Sequence, residues 1–247
     1  MTTDPEEIRA YFDREDVLEH YARATAHVGL WRSEEMVFCR LFQPQHRLLE
    51  VGCGTGRIAL GLHELGYQHV LGVDLSRSMI KRARLLATLL EYPVSFQVGD
   101  ATRLAFEDGL FDGAIFGFNG LMQIPGRASR RMALQEILRV VRPGGYFVFT
   151  AHDRDHYTAR RYWSAEAERW RTGSQDPGLA EFGDRMVDSD LGRHFIHVPS
   201  RAEVLEDLTI AGWEWIEDAL RSDIANEPQD VREFADECRF WIVRRPH

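Results

Sequence analysis

Residues 48–57 read LLEVGCGTGR, an apolar run that ends at Glu50 and Val51 and leads into closely spaced glycines. The apolar run predicts a buried β-strand, and the residues after the glycines have the periodicity of a helix. A turn needs one glycine or two, so the cluster Gly52, Gly54 and Gly56 indicates that the backbone approaches a ligand closely. In an open parallel sheet a ligand binds at the carboxyl ends of the strands, which is where these glycines lie.

Strands and helices alternate on both sides of this motif. The alternation predicts right-handed crossovers and an α/β doubly wound fold, a parallel sheet with helices on both faces. Two final strands, 213–220 and 238–245, are joined by a loop-like stretch at 223–236 and predict an antiparallel hairpin at the sheet edge. The earlier strands are predicted at 47–51, 69–74, 94–100, 111–119 and 145–152, with helices at 58–66, 76–90 and 132–141 and a turn at 142–145.

Two segments fall outside this alternation. The first forty residues have helical patterns, with Asp4 as an N-cap before a first-turn proline, and predict an N-terminal helical cap at 1–44. Residues 45–247 then form the main domain, in which 153–193 is predicted to be an inserted lid over the active site. Four aromatic residues of this insertion could shape an apolar acceptor pocket or pack onto the domain: Tyr157, Tyr162, Trp163 and Trp170.

The composition excludes several classes of protein. Hydrophobic residues make up 44% of the 247 residues, enough for a sizeable core, and the formal net charge of -9 disfavours a general nucleic-acid binder. The 3 cysteines are far apart and no pair has metal-ligand spacing, so no metal site is predicted. The start of the chain is unlike a targeting peptide, and no stretch approaches the roughly 18 apolar residues that span a bilayer. We expect a cytoplasmic monomer or homodimer that does not enter a membrane.

The spacing of the glycines restricts the ligand. The third glycine comes one place too early for a dinucleotide fingerprint, and the lysine of a P-loop is absent. Glu50 would repel a phosphate but suits a cation. Asp74 ends the second strand, where an acid accepts hydrogen bonds from ribose hydroxyls, and Asp100 ends the third, where it can meet a base. Either aspartate alone could be a cap; together they describe an adenosine with a positively charged tail, and S-adenosylmethionine fits.

Several motifs, taken as a set, resemble those of the class I S-adenosylmethionine-dependent methyltransferases. They are EVGCGTGR, the VD after the second strand, GDA after the third, FD opening the fourth, and RVVRPGGYFVF into the fifth. The similarity covers roughly residues 45 to 152 and is closest to the small-molecule branch of the superfamily. It implies a Rossmann-like sheet of seven strands, mostly parallel with an antiparallel last strand. It also implies S-adenosylmethionine as the cofactor and S-adenosylhomocysteine as the product.

The resemblance and the residue pattern together define a predicted cofactor site. Cys53 is interpreted as a small filler between glycines, Asn119 could instead be a turn former, and N-terminal aromatic residues close over the cofactor in related enzymes. The predicted cofactor-binding residues are Glu50, Gly52, Cys53, Gly54, Gly56, Asp74, Leu75, Met79, Asp100, Ala101, Phe118, Asn119, Tyr21 and Trp31.

Methyl transfer from a sulfonium mainly requires that the acceptor be held in line with the methyl group and away from water. An acceptor with a high pKa also needs a base, and the residues just after the fifth strand are candidates. His152, Asp153 and His156 are predicted to be catalytic, with a role as exposed loop residues or caps as the alternative. His197 could point toward the site or serve in packing.

The sequence therefore predicts a methyltransferase that modifies O or N of a small-molecule acceptor. One alternative is a tRNA- or rRNA-modifying methyltransferase, which the net charge disfavours. Another is a protein that binds S-adenosylmethionine without methylating. An NAD-dependent oxidoreductase is disfavoured by the glycine spacing.

Overall fold

The computed structural model describes residues 4–247, which contain nine strands, ten α-helices and one 3₁₀ helix. The strands are β1 (Arg47–Val51), β2 (His69–Asp74), β3 (Ser95–Val98), β4 (Phe111–Phe116), β5 (Val141–Ala151), β6 (Asp184–Ser189), β7 (Gly192–His197), β8 (Glu214–Leu220) and β9 (Arg239–Arg244). The helices are α1 (Pro5–Phe12), α2 (Glu15–His27), α3 (Arg32–Leu41), α4 (Arg57–Glu64), α5 (Arg77–Leu89), α6 (Arg127–Val140), α7 (Arg160–Thr172), α8 (Arg201–Ala211), α9 (Arg221–Ile224) and α10 (Gln229–Phe234), with the 3₁₀ helix at Gly120–Gln123 after β4.

Seven strands form one sheet in the order β3-β2-β1-β4-β5-β9-β8. Strands β1 to β5 pair in parallel, and β9 runs antiparallel to both of its neighbours. The predicted seven-stranded, mostly parallel sheet with an antiparallel last strand is confirmed, as is the hairpin of β8 and β9 at the edge. Strand order reverses between β1 and β4, so the carboxyl ends of these two strands form the switch point at which ligands bind.

Two apolar layers cover the sheet, one on each face. On one face Leu134 and Ile137 of α6 and Leu208 of α8 belong to a single buried cluster. On the other face Phe38 of α3 and Ile80 of α5 belong to a second. This arrangement confirms the predicted helices on both faces, and it leaves the strand tips free to carry polar side chains.

Three local predictions were wrong in detail. The stretch 223–236 is not a loop: it contains the second half of α9 and all of α10, helices of 4 and 6 residues that are too short to show a helical period. The fourth strand ends at Phe116, because Phe118 and Asn119 both have positive φ. The fifth strand begins at Val141, so the predicted proline-glycine turn lies inside β5. The pairing of β4 with β5 shifts its register at this point.

The segment 153–193 contains α7 and most of a second, two-stranded antiparallel sheet of β6 and β7. Trp163 is buried in the main core and its ring meets Phe182 edge to face at 5.7 Å, so this residue packs onto the domain. Tyr157 is exposed. No helix within residues 4–247 has the length and apolar character needed to cross a membrane.

The hairpin of β6 and β7 is joined to α8 by a buried histidine. The two ring nitrogens of His197 lie 2.8 Å from a carboxylate oxygen of Asp184 and 2.6 Å from one of Glu203. Glu181, Asp184 and His197 are close enough together to hold a cation. Both ring nitrogens are occupied by carboxylates, however, and Arg130 pairs with Glu181, so this cluster is satisfied as a charge network and His197 has the packing role.

Candidate active site

A cleft lies at the carboxyl ends of β1 to β4, beneath the N-terminal helices. Its floor is formed by residues 50–55, 73–76, 99–102 and 116–118. These segments lie at the ends of β1, β2, β3 and β4, four strands that are neighbours in the sheet. Its roof comes from α1 and α2, which the sequence did not assign to the site apart from Tyr21; these roof residues are Pro5, Ile8, Arg9, Phe12, Tyr21, Ala24 and Thr25. The structure therefore brings most of the predicted cofactor-binding residues to one place.

The glycine loop is held to the second strand by Asp74. One carboxylate oxygen of Asp74 accepts a hydrogen bond from the Gly54 N–H at 2.8 Å, and the other accepts one from the Ser76 N–H at 2.8 Å. Burial raises the pKa of Asp74 above its ordinary value. Gly52 has φ 64°, and a Cβ there would lie 2.4 Å from the Phe116 ring, so only glycine fits this close turn.

Glu50 is a buried carboxylate on the floor of the cleft, with 3% of its surface exposed. It accepts a hydrogen bond from the Ala59 N–H of α4 at 2.8 Å. Burial raises the pKa of Glu50 to about 8, although the Arg57 charge and the Ala59 N–H oppose the shift. A desolvated carboxylate of this kind gains from a cationic ligand, because the ligand's charge favours the ionised form.

Asp100 lies at the rim of the cleft and is exposed. Its carboxylate accepts hydrogen bonds from the N–H and the hydroxyl of Thr102, at 2.8 and 2.7 Å. This contact is the turn cap that the sequence left open as an alternative for Asp100. The neighbouring Ala101, and Leu75 and Met79 after β2, also line the cleft.

Aromatic rings close the cleft between β4 and the N-terminal helices. Phe118 lines the cleft and lies edge to face with Tyr21, with ring centroids 5.9 Å apart. Phe234 of α10 stacks on the other side of Phe118 at 5.0 Å. Phe118 adopts φ 48°, a rare value for a bulky residue, which places its ring between these two partners. Phe234 falls in the region expected to be a loop, and no signal in the sequence pointed to it.

Three predicted residues do not line the cleft. Gly56 has φ 90° at the N-cap of α4, and a Cβ there would lie 2.7 Å from the Phe96 ring, so this glycine serves packing. Trp31 is fully buried behind Phe118, at 5.8 Å between ring centroids. Asn119 is also buried, and its backbone N–H donates to the Thr150 hydroxyl at 2.8 Å. Cys53 is buried on the cleft floor, as its interpretation as a filler implies.

The residue after the last glycine, Arg57, has a structural role that the sequence did not show. Its guanidinium donates two hydrogen bonds of 2.6 Å to the Glu34 carboxylate, and it lies over the Trp31 ring at 4.7 Å. The pair joins α3 to the start of α4, just behind the glycine loop. A bidentate pair between residues 23 apart in the chain leaves no local sequence pattern, which is why it was missed.

Two further contacts tie the roof to the floor. The hydroxyls of Thr25 in α2 and Thr55 in the glycine loop are 2.6 Å apart. Asp13, which follows α1, accepts hydrogen bonds from the Ser76 hydroxyl at 2.6 Å and from the Ser78 N–H at 3.2 Å. The N-terminal helices are therefore attached to the same loops that line the cleft.

The three predicted catalytic residues lie after β5, outside the residues that line the cleft. His152 is placed at the strand tip, with Nδ1 2.8 Å from the Glu237 carbonyl and Nε2 3.4 Å from Asn119 Nδ2. Asp153 forms an ion pair with Arg239 at 2.9 Å, and His156 Nδ1 lies 2.7 Å from the Thr158 hydroxyl. The three side chains have different partners, and the catalytic roles of all three stay predictions.

The sheet order, the glycine loop and the carboxylates at three strand tips define a class of protein that binds a nucleoside at the switch point of a Rossmann-like sheet. A family model described as "Methyltransferase domain" matches residues 48–145. Residues 48–145 therefore match a methyltransferase domain, and they include the strands that form the floor of the cleft.

Curated relatives agree over part of their length. A demethylmenaquinone methyltransferase of Symbiobacterium thermophilum is 33% identical over 149 residues, which cover 57% of each chain. The O-methyltransferase resE of Aspergillus sclerotiorum is 38% identical over 102 residues, which cover 40% of this chain and 37% of that protein. The matching regions therefore span about half the length of these relatives, or less.

Solved structures share the fold over most of the chain. A SAM-dependent methyltransferase from Methanosarcina mazei superposes with a TM-score of 0.68 at 22% identity, covering 88% of this chain and 99% of that one. The [4+2]-cyclase SpnF superposes with a TM-score of 0.62 at 20% identity, covering 87% of this chain and 80% of that one. At these identities the similarity concerns the fold alone.

Proposed function

We propose that this protein is an enzyme that transfers a methyl group from S-adenosylmethionine to an oxygen or nitrogen of a small-molecule acceptor. The observation that carries the proposal is the glycine loop at the switch point with Glu50, Asp74 and Asp100 at three neighbouring strand tips. The names of the curated relatives, a demethylmenaquinone methyltransferase and an O-methyltransferase among them, support a small-molecule acceptor.

The residues of the cleft fit S-adenosylmethionine better than a phosphate-bearing cofactor. Asp74 offers two carboxylate oxygens for ribose hydroxyls, and Asp100 lies beside Ala101 where a base can sit. Glu50, desolvated and without an ion pair of its own, suits the ammonium or sulfonium of the ligand. A dinucleotide would instead place its phosphates near these carboxylates, which disfavours NAD.

When bound, S-adenosylmethionine supplies an electrophilic methyl group. The residues of this chain position and shield the reacting groups: Tyr21, Phe118 and Phe234 form an aromatic wall that excludes water. Holding two reactants in line is worth roughly 7–11 kcal/mol of the barrier, so positioning can supply most of the catalysis.

His152 is the candidate that the structure supports best as a base. Its Nδ1 faces the Glu237 carbonyl at 2.8 Å, which places the ring proton on Nδ1. Nε2 is then the acceptor of the ring, and its partner is the Asn119 amide at a long 3.4 Å. Burial lowers the pKa of His152, with the charges of Arg185 and Arg221 acting in the same direction. A neutral ring whose Nε2 exchanges the long Asn119 contact for an acceptor hydroxyl or amine can take the proton of that group.

The proposal keeps the predicted N-terminal cap but gives the insertion 153–193 a supporting role in place of a lid. The predicted N-terminal cap corresponds to α1 and α2, which supply the roof of the cleft. The insertion 153–193 supports this roof from the side, because Leu191 packs against the cluster of Val17 and Leu18 in α2. Just after the insertion, His194 of β7 stacks on the Tyr11 ring of α1 at 5.1 Å. A cytoplasmic location and a monomeric or homodimeric state stay predictions. The net charge of -9 continues to disfavour an RNA substrate.

Calorimetry and a transfer assay test the proposal. Titration should show binding of S-adenosylmethionine and S-adenosylhomocysteine but no binding of NAD. A metabolite screen with a labelled methyl donor should then transfer label to a small molecule and not to tRNA. Absence of binding overturns the proposal. Binding of S-adenosylmethionine with no labelled product from any acceptor would favour the alternative, a protein that binds the compound without methylating.

A further inference from the structure

We propose that the aromatic wall of Tyr21, Phe118 and Phe234 is the binding surface for the methyl acceptor, and that this acceptor is a neutral aromatic molecule with a hydroxyl group. Tyr21 is the residue that selects the hydroxyl. The inference rests on the proposed methyltransferase function and adds the chemical class of its acceptor. All three rings line the same cleft as the glycine loop.

The order of the strands places the aromatic wall at the reacting end of the cleft. Asp100, Asp74 and Glu50 lie at the ends of β3, β2 and β1, and Phe118 follows β4, the next strand in the sheet. Neighbouring strands are about 4.8 Å apart, so these four positions form a row. A nucleoside with its base at Asp100, its ribose at Asp74 and its cationic end at Glu50 therefore directs the methyl-bearing end toward Phe118.

Helix α2 holds the Tyr21 ring over this end of the cleft. The Thr25 hydroxyl, one turn later on the same face of α2, lies 3.1 Å from the Tyr21 carbonyl and 2.6 Å from the Thr55 hydroxyl of the glycine loop. The Tyr21 ring meets Phe118 edge to face at 5.9 Å and lies 6.0 Å from the Phe12 ring of α1. The position of Tyr21 is therefore set by the loop that forms the floor of the cleft.

The hydroxyl of Tyr21 is available to a ligand. It has no hydrogen-bond partner within residues 4–247 and is not enclosed by the protein, so it opens onto the cleft. The Tyr67 hydroxyl, by contrast, donates to the carbonyls of Phe38 and Phe42, each at 3.2 Å. Burial raises the pKa of Tyr21 above its ordinary value, so the hydroxyl keeps its proton and can either donate or accept a hydrogen bond.

Phe234 gives the wall a preference for an aromatic ring. Its ring is stacked against His20 of α2 at 5.4 Å and against Phe118 at 5.0 Å, with interplanar angles of 23° and 27°. Because its faces are engaged in this stack, Phe234 presents an edge to the cleft that it lines. The edge of an aromatic ring is partially positive and packs favourably on the face of another ring. An aromatic acceptor therefore gains more from Phe234 than a saturated molecule of similar shape.

The charged side chains that line the cleft favour a neutral acceptor. Arg9 of α1 pairs with Glu6 at 3.7 Å and Arg57 pairs with Glu34 at 2.6 Å, so each arginine already has an acidic partner. A protonated amine would need a carboxylate and would have to lose its proton before it accepted a methyl group. None of the acidic residues that line the cleft within residues 4–247 belongs to α2, α10 or the tip of β4. A neutral hydroxyl bound to Tyr21 needs no counter-charge.

Titration calorimetry of the full chain with 2-naphthol as the probe tests the inference. In saturating S-adenosylhomocysteine the wild type should bind 2-naphthol saturably. Two related compounds should bind several-fold more weakly. One is 2-methoxynaphthalene, which has no hydroxyl to donate, and the other is decahydro-2-naphthol, which keeps the hydroxyl but has no aromatic ring.

Three variants separate the contributions of the hydroxyl and the ring. Tyr21→Phe should bind 2-naphthol several-fold more weakly and should no longer distinguish it from 2-methoxynaphthalene. Phe234→Leu should reduce the preference for 2-naphthol over decahydro-2-naphthol. Tyr92→Phe is the matched control, because it removes a hydroxyl that bonds to Glu64 outside the cleft, and it should bind 2-naphthol as the wild type does. All three should bind S-adenosylhomocysteine within twofold of the wild type.

Four results would each overturn the inference: equal affinities of Tyr21→Phe and Tyr92→Phe for 2-naphthol, no saturable binding by the wild type, equal binding of decahydro-2-naphthol, or a larger loss of S-adenosylhomocysteine than of 2-naphthol affinity in Tyr21→Phe. The last result would assign the hydroxyl to the cofactor. A failure of the proposed function would appear separately, as absence of S-adenosylhomocysteine binding by the wild type. The 2-naphthol titration is repeated without S-adenosylhomocysteine, so that the acceptor surface is tested in that case too.

Discussion

Asp74 links the shape of the site to its chemistry at the scale of a single residue. Its two carboxylate oxygens accept the N–H groups of Gly54 and Ser76 and so fix the glycine loop relative to α5. Asp74 also lines the cleft, where its carboxylate can accept further hydrogen bonds from ribose hydroxyls. Loss of this side chain should therefore affect both the loop and the ligand.

Asp74→Ala should weaken S-adenosylhomocysteine binding by tenfold or more, since hydrogen bonds to a charged group contribute about 1.5–3 kcal/mol. Titration calorimetry measures the change. Asp108→Ala, at an exposed aspartate that pairs with Arg139, is the control and should bind normally. An affinity of Asp74→Ala within twofold of the control would remove Asp74 from the site.

The raised pKa of Glu50 predicts that the stability of the protein depends on pH, and it fixes the sign of that dependence. Between the ordinary value of 4.5 and the folded value of about 8, the folded state keeps a proton that the unfolded state has lost. Stability contributed by this group therefore falls as pH rises through that window. Glu50→Gln keeps the acceptor for the Ala59 N–H and removes the titration.

Between pH 5 and pH 8 the wild type should lose more thermal stability than Glu50→Gln, by about 2–4 °C for each kcal/mol of difference. Thermal unfolding at the two pH values measures it, with the exposed Glu107→Gln as the control. The variant should also bind S-adenosylmethionine more weakly, because the cation loses its counter-charge. Equal losses of thermal stability in the variant and the wild type would show that ionising Glu50 does not destabilise the folded state.

At the scale of elements, the contact between α3 and α4 sets the position of the glycine loop. Arg57 and Glu34 are both buried and form a bidentate pair, while Arg57 and Arg221 flank the Trp31 ring at 4.7 and 5.2 Å. Glu227 accepts the N–H groups of Arg32 and Ser33 at the start of α3. The helix is therefore held by charges from distant parts of the chain.

Glu34→Gln should destabilise the protein by about 3–5 kcal/mol, because the Arg57 charge would stay buried without its counter-charge. Urea unfolding at pH 7 measures the loss. Glu35→Gln changes the next residue of the same helix, which is exposed, and should alter the free energy of unfolding by less than about 0.5 kcal/mol. Similar values for the two variants would mean that solvent reaches the Arg57–Glu34 pair.

At the scale of the whole molecule, two segments outside the parallel sheet have different relations to the cleft. The N-terminal helices line it directly. The insertion contacts the N-terminal helices through Leu191, which packs against Val17 and Leu18 of α2, while α7 packs into the core through Trp163. The cap and the insertion should therefore respond differently to a bound ligand.

Hydrogen exchange should show this difference. Saturating S-adenosylhomocysteine should slow amide exchange in residues 5–27 several-fold, because ligand contacts stabilise the roof. Exchange in residues 160–172 should change little. Mass spectrometry with and without the compound makes the comparison within one sample. Protection of 160–172 equal to that of 5–27 would show that the insertion itself closes over the ligand.

The fold and the cofactor side of the site were predictable because their signals are local. The buried strands are continuous apolar runs, and the glycines and aspartates follow them directly. Phe234 and Arg57 were not predictable in the same way. The first lies in a helix too short to show a period, and the second pairs with Glu34, 23 residues away, which no local sequence pattern records.

The amino-acid sequence by itself determined the order of strands and helices, the glycine loop and the carboxylates at the strand tips, because each depends on residues adjacent in the chain. Only the tertiary structure decided which segments roof the cleft, why Gly56 serves packing, and which partners Arg57 and His152 find. These outcomes depend on burial and on charges brought together from distant positions, and such interactions exist only once the chain has folded.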